Sequence, residues 1–181
     1  MVAATLIPDS DLTLHHVGVN PTRTGILEIL KLMGANIEIE NEHEVGGEPV
    51  ADLRVRYAPL KGIAIPENLV PLAIDEFPVL FVAASCAEGE TLITGAQELR
   101  VKESDRIQSM VDGLTVLGVR IIGTPDGAIV SGGGPEFRFS SGAVEACEDH
   151  RIAMAFTVAG LLACGPVRIS DCVNVATSFP N

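Results

Sequence analysis

Tryptophan is absent, tyrosine occurs once, and cations are scarce: 12 Lys and Arg stand against 24 Asp and Glu, a formal net charge of −12 over 181 residues. That shortage argues against nonspecific nucleic-acid binding and against attachment to an anionic membrane, since both need an excess of Lys and Arg to neutralise phosphate. It also makes any local cationic cluster informative, because an anionic ligand needs one to overcome the surrounding field. No apolar run is long enough to span a bilayer, and no basic segment followed by an apolar stretch and a small-residue cleavage site opens the chain. The expected location is the cytoplasm. The four cysteines, Cys86, Cys147, Cys164 and Cys172, show no C-x-x-C spacing. Two sit inside strongly apolar runs, which predicts reduced, buried thiols and neither a disulfide framework nor a zinc site. What the chain has in quantity is apolar side chains, 47% of it, enough to bury a sizeable core in one compact domain over residues 1–181.

Periodicity divides the chain into a repeated unit. Residues 11–19 (DLTLHHVGV) alternate as a strand, and PTRTGILEILKLMG carries Ile26, Ile29, Leu30 and Met33 at helical spacing up to Gly34. NIEIE and LRVRY read as two more strands joined by a polar, Gly-containing loop. IDEFPVLFVAASCAEG is then apolar all round from Phe77 to Cys86, with Asp75 suited to an N-cap and Pro78 to the first turn. The order recurs: TLITG as a strand, SDRIQSMVDGLTVLG as a helix with Ile107, Met110, Val111, Leu114 and Leu117 inward, VRII and AIVSG as strands. DHRIAMAFTVAGLLACG closes the second cycle as another all-round apolar helix opening at Asp149, and VRIS starts a third cycle. Gly18 corresponds to Gly95, Gly34 to Gly118 and Asp75 to Asp149, at offsets unequal enough for loops to differ between copies. The expected fold class is α+β: βαββα-type units forming an inside-out α/β barrel domain, apolar helices buried and sheets outside. SGGGPEFRFSSGA is Gly-rich, but no Lys-Ser/Thr follows it, so it reads as a surface hairpin and not as a phosphate loop.

The helix starts carry the chemistry. In LRVKESDRI, Ser104 is a good N-cap and Asp105 suits the positive end of the helix dipole. Arg106 is not explained that way, because a cation in the first turn opposes the dipole. The same oddity recurs at Arg151 in DHR, ahead of the second apolar helix. Taken alone, each is an ordinary capped and solvated helix start. Taken together, Asp75, Glu103 with Arg106, and His150 with Arg151 fall at equivalent ends of repeated helices. Repeats folded side by side would bring them to one rim, a site for an anionic substrate that needs proton transfers.

LRVKESDRI and DHRIAMAFTVAGL resemble the two C-terminal signature segments of the 3-phosphoshikimate 1-carboxyvinyltransferase (EPSP synthase) family. IPENLVPLAIDEFPVLFVAA resembles the segment bearing that family's catalytic aspartate, and ATSFPN the start of its terminal segment. The likeness covers nearly the whole chain, while family members are more than twice as long and fold as two similar domains around a cleft. The chain therefore resembles the C-terminal domain, lacking the N-terminal domain and the last C-terminal elements. The resemblance implies transfer of the enolpyruvyl group of phosphoenolpyruvate to the 5-hydroxyl of shikimate 3-phosphate through a tetrahedral intermediate, in chorismate and aromatic amino acid biosynthesis, with no metal and no organic cofactor.

By that resemblance Asp75 contacts the shikimate hydroxyls and accepts a proton, and Glu103 donates one to the methylene carbon. Lys102 touches the shikimate substrate, and Arg106 and Arg151 hold the phosphoenolpyruvate carboxylate, a task suited to a planar, permanently charged fork. His150 orients Arg151 or lines the pocket, or else is a packed or capping histidine. Glu98 stands where some members carry an amide that contacts the shikimate substrate, and Thr177 where some carry a phosphoenolpyruvate-binding lysine. The grips for both phosphates belong to the family's other domain, so the chain alone is expected to be inactive, and apolar surface left bare there favours self-association. Two other readings stay open: an enolpyruvyl transferase acting on UDP-N-acetylglucosamine, which shares the repeated unit, and a noncatalytic repeat module. A comparable repeat occurs in RNA-cyclase-type proteins, but this chain has no basic stripe to bind nucleic acid.

Overall fold

The computed structural model describes residues 1–178; Phe179, Pro180 and Asn181, the end of the ATSFPN segment, lie outside the described residues. A short helix α1 (Val2–Leu6) leads into β1 (Asp11–Gly18), α2 (Gly25–Leu32), the hairpin β2 (Asn36–Val45) and β3 (Glu48–Arg56), and α3 (Phe77–Ser85). The second unit repeats the order with β4 (Glu88–Ile93), α4 (Arg106–Val116), β5 (Arg120–Thr124), β6 (Gly127–Gly133) and, after β7 (Gly142–Glu145), α5 (His150–Gly160). β8 (Val167–Ser170) and α6 (Val175–Ser178) follow. The two three-stranded sheets are antiparallel with matching orders, β1-β3-β2 and β4-β6-β5, so each first strand pairs with the return strand of its hairpin. β7 and β8 pair in parallel, and the stretch around Lys61 and Ala64 bridges β4 in the same sense. The read repeat is therefore a repeat of topology.

Helices fill the centre and sheets surround them, as the all-round apolar stretches require. Eight of the nine residues of α3 are buried. α3 packs on α5 through the core that Phe77, Phe81, Ile152 and Phe156 share with Met110 and Leu114 of α4 and Val55 and Val130 of the sheets. Each such side chain contributes about 1.5–3 kcal/mol by leaving water. α4 and α5 meet at Gly113, where an added Cβ would lie 2.1 Å from Cζ of Phe156. Only a glycine lets the helices come this close. No helix among the described residues is long and apolar enough to cross a membrane.

Several local readings are corrected. Asp75 is not an N-cap: it belongs to a 3-10 turn, Pro71–Glu76, that runs straight into α3, and Glu76 holds the cap position without a side-chain bond. The tighter turn supplies carbonyls to the first helical N–H groups, which leaves the Asp75 carboxylate free for other partners. Asp105, not Ser104, caps α4, accepting from Gln108 N at 3.0 Å. The loop expected between NIEIE and LRVRY is instead strand down to a two-residue turn, Gly46–Gly47, whose φ values of 62° and 86° suit a tight hairpin. α5 is apolar on one face only: it ends at Gly160, with Met154 37% and Leu161 61% exposed. Of the cysteines, all free, Cys86 is buried, Cys147 and Cys164 are exposed and Cys172 is intermediate, because the loop after α5 turns Cys164 outward. The Gly-rich stretch is no surface hairpin. Phe139 within it is fully buried, edge-on to Phe137 at 5.1 Å, and the chain crosses from β6 to a different sheet.

Candidate active site

Three segments far apart in sequence meet at one point: the 3-10 turn ahead of α3, the start of α4 and the start of α5. Arg106, the first residue of α4, is 1% exposed and lies among three carboxylates. Its Nε donates to Asp149 Oδ2 at 2.7 Å, its Nη2 to Glu103 Oε2 at 2.5 Å and more distantly to Asp149 Oδ1 at 3.4 Å, and its Nη1 to Asp75 Oδ1 at 3.5 Å. Arg151, in the first turn of α5, donates to the Asp75 carbonyl at 2.9 Å and to Asp75 Oδ2 at 3.2 Å. Asp75 thus bridges the two arginines.

Asp149 is wholly buried. It caps α5 by accepting from Arg151 N at 2.9 Å, and it accepts from Ser104 Oγ at 3.1 Å as well as from Arg106. Burial alone would raise its pKa, but the hydrogen bonds and charge of Arg106, with those other donors, outweigh that and hold the carboxyl below its ordinary value. Glu76 lies 3.7 Å from Arg151 and is pushed the other way, upward, by burial against the pull of Arg151 and with the added repulsion of Asp75. Glu103 differs from both, with its side chain 52% exposed. Asp149 and Glu76, shifted in opposite directions, show that one cluster can hold carboxylates in unlike surroundings.

Of the candidates read from the sequence, Asp75, Glu103, Arg106 and Arg151 are brought together. Lys102 forms an ion pair with Glu98, four residues back, and His150 is half-buried at the start of α5 without joining the network. Reading the helix starts missed three participants. Asp149 was visible only as a cap, yet it is the buried counter-charge of Arg106. Glu76 was hidden beside Asp75. Arg23, within 4.0 Å of Asp75, stands just before α2 as Arg106 stands at the start of α4, and aligning the two units would have found it. No group of three His, Cys, Asp or Glu among the described residues can hold a metal ion.

Two clefts flank the cluster. One, of about 190 Å³, is walled by Pro78, Val79, Met154 and Val158 and rimmed by Asp75, Glu76 and Arg151. The other, of about 510 Å³, runs along α4 past Asp105, Asp112 and Glu145, and no cation lines it. Only the first offers an anion a guanidinium, that of Arg151, and there Asp75 and Glu76 already partner it; the second, lined by carboxylates alone among its charged groups, repels an anion.

The EPSP synthase (3-phosphoshikimate 1-carboxyvinyltransferase) family model matches residues 1–181. A 3-phosphoshikimate 1-carboxyvinyltransferase of Methylococcus capsulatus is 63% identical over 181 residues, all of this chain and 40% of that protein. One of Alkalilimnicola ehrlichii is 65% identical over 180 residues, 99% of this chain and 40% of that protein. The chain thus spans about 40% of the length of the curated relatives it matches. An EPSP synthase structure from Acinetobacter baumannii superposes with a TM-score of 0.96 at 53% identity, covering 99% of this chain and 41% of that one. The enolpyruvyl transferase NikO from Streptomyces tendae, at 20% identity and a TM-score of 0.68 over 98% of this chain and 38% of its own, shares the fold.

Proposed function

Because the chain belongs to the EPSP synthase family, we propose that its helix-start cluster serves the transfer of enolpyruvyl from phosphoenolpyruvate to the 5-hydroxyl of shikimate 3-phosphate, with release of phosphate. One observation carries the reading: Arg106 lies within hydrogen-bonding reach of Glu103 and Asp75, and Asp75 in turn of Arg151, so that side chains from three separated segments form one connected cluster. The roles follow from what each group can do. Asp75 takes the proton of the attacking hydroxyl as its oxygen bonds to the central carbon of phosphoenolpyruvate. Glu103, half exposed, gives a proton to the methylene carbon. In the second step the resulting methyl group returns a proton to Glu103 while the carbon–oxygen bond to phosphate breaks and the double bond re-forms, and the hydroxyl proton held by Asp75 passes to the released phosphate. Arg106 and Arg151 hold the carboxylate throughout, and Lys102 meets the shikimate substrate once it leaves Glu98.

The cleft beside Arg151 supports a supporting wall from outside this chain. At about 190 Å³ it falls short of the roughly 300–1,000 Å³ usual for a small-molecule site. Relatives of more than twice the length have chain to spare for the opposite wall, which we place in an N-terminal domain that grips both phosphates. The nucleotide-sugar alternative is not favoured, since the relatives at 63–65% identity act, by name, on 3-phosphoshikimate.

The test is a chimera in which residues 1–181 replace the matched segment of the Methylococcus capsulatus relative. Phosphate release from phosphoenolpyruvate and shikimate 3-phosphate is expected from the chimera and not from the 181-residue chain alone. Asp75→Asn and Glu103→Gln should each lower turnover by roughly 100-fold to 10,000-fold. Unchanged turnover in both variants would assign the cluster to structure and remove it from the reaction.

A further inference from the structure

We propose that Asp149 is a positioning residue that orients the Arg106 guanidinium, and so decides which of its edges faces a ligand, while anchoring the helix start that carries Arg151. The inference deepens the functional reading above and rests on it. A guanidinium offers two edges to a carboxylate: the side edge formed by Nε and Nη2, and the end edge formed by Nη1 and Nη2. Asp149 occupies the side edge, at 2.7 Å from Nε and 3.4 Å from Nη2. Glu103 and Asp75 occupy the end edge through Nη2 and Nη1.

The two sets of partners differ in burial. Asp149 is fully enclosed, while the side chains of Glu103 and Asp75 are 52% and 34% exposed. A ligand carboxylate therefore displaces the exposed pair from the end edge, and the buried partner stays. Without Asp149 the guanidinium would be a buried charge lacking its fully enclosed counter-ion, free to rotate toward Glu103. The same carboxylate also accepts from Arg151 N at 2.9 Å, which pins the first turn of α5 to the first residue of α4. Ser104 Oγ, donating at 3.1 Å, orients Asp149 in turn. One enclosed side chain thereby ties the Arg106 guanidinium to the helix start from which Arg151 projects.

Charge and geometry pull in opposite directions here, which makes the experiment decisive. Asp149→Asn removes a negative charge beside Arg106, so a purely electrostatic role predicts tighter binding of an anion. A positioning role predicts weaker binding. In the chimera, Asp149→Asn is expected to raise KM for phosphoenolpyruvate by roughly 10-fold to 100-fold while KM for shikimate 3-phosphate changes by less than about twofold. An unchanged or lowered KM for phosphoenolpyruvate overturns the proposal, as does an equal rise for both substrates, which marks a merely structural role. Should the Asn variant not fold, Ser104→Ala carries the test: a KM rise confined to phosphoenolpyruvate supports the proposal and its absence overturns it.

If the unmodified chimera shows no turnover, the functional reading fails by itself, and the positioning claim is decided on the 181-residue chain by NMR. Slow solvent exchange of the Arg106 Nε–H that becomes fast in Asp149→Asn or Ser104→Ala upholds it. Fast exchange already in the unmodified chain overturns it.

Discussion

Replacing Gly113 with alanine puts a methyl group at the point where α4 meets α5. Its Cβ would lie 2.1 Å from Cζ of Phe156 and 2.8 Å from both Cε atoms, and Phe156 is fully buried with nowhere to swing. Carbon atoms settle at about 3.5 Å or more, so one helix must withdraw by about 1.4 Å or the ring must leave its rotamer. Overpacking of this depth costs the upper part of a range of about 1–3 kcal/mol. The helical preference of alanine over glycine returns about 1 kcal/mol. A net loss of about 2 kcal/mol is expected. Phe156→Leu alone should cost about 1–2 kcal/mol by leaving a small void, and in the double variant the new methyl fills part of it, so the two losses should sum to at least about 1 kcal/mol less than additivity. Urea unfolding of the 181-residue chain followed by circular dichroism measures all three, fluorescence being of little use with no tryptophan and one tyrosine. Gly113→Ala matching the parent in stability, or strict additivity in the cycle, would refute the close approach of these helices. The contact matters beyond stability, because α4 and α5 begin with the two arginines of the site and any separation of the helices separates them as well.

Two further outcomes follow from burial and charge. Burial pushes the Cys86 thiol up to about 12, whereas Cys147 and Cys164 are exposed, so an aromatic disulfide reagent at pH 8 should label those two in the native chain and reach Cys86 roughly 1,000-fold more slowly, a contrast read by mass spectrometry and abolished in urea. The Asp149 carboxyl is held below its unfolded value of about 3.9, so its contribution is complete above that pH and is lost as pH falls through the lower folded value; urea midpoints should drop steeply below about pH 4, and Asp149→Asn should flatten that drop, an unaltered slope in the variant being evidence that Arg106 does not depend on this partner.

What could be read from the sequence was whatever one element decides by itself. Gly34 and Gly118, ending equivalent helices, do adopt positive φ of 99° and 87°, and the apolar stretch from Phe77 to Ser85 is buried as its composition demands. The misreadings all involve a second partner. Asp75 has the right residue type for a cap, but Arg151 and Arg106 compete for it and the 3-10 turn makes a cap unnecessary. Ser104 has the right type too, yet its hydroxyl points across to Asp149 on another helix. The long strand β2 looked like a loop beyond Glu40 because its outer half is polar on both faces, and only pairing with β3 through a shifted register keeps it extended. For the site, the oddity of arginines at helix starts was legible because it violates a local rule. The identity of what excuses the violation, a buried aspartate 43 residues away, depends on packing alone.

The charge balance of the cluster shows how such a site works. Asp75, Glu76, Glu103 and Asp149 face Arg23, Arg106 and Arg151, four potential anions against three cations. A net positive pocket would attract anions indiscriminately, and arginines left bare at helix N-termini would repel both each other and the dipoles beneath them. Carboxylates instead keep the guanidiniums in place before any ligand arrives. A ligand carboxylate gains little from charge alone, because it replaces Glu103 and part of Asp75 on edges already satisfied. Its advantage is geometric: one rigid group spanning Arg106 and Arg151 takes over both the bridge that Asp75 makes and the contact that Glu103 makes, and it releases those side chains, the proposed acid and base, at the moment they are needed. Binding and activation of the carboxylates are then one event. If the proposed roles hold, a site built this way discriminates against small anions that cannot bridge both arginines, and phosphate should compete with phosphoenolpyruvate only weakly in the chimera.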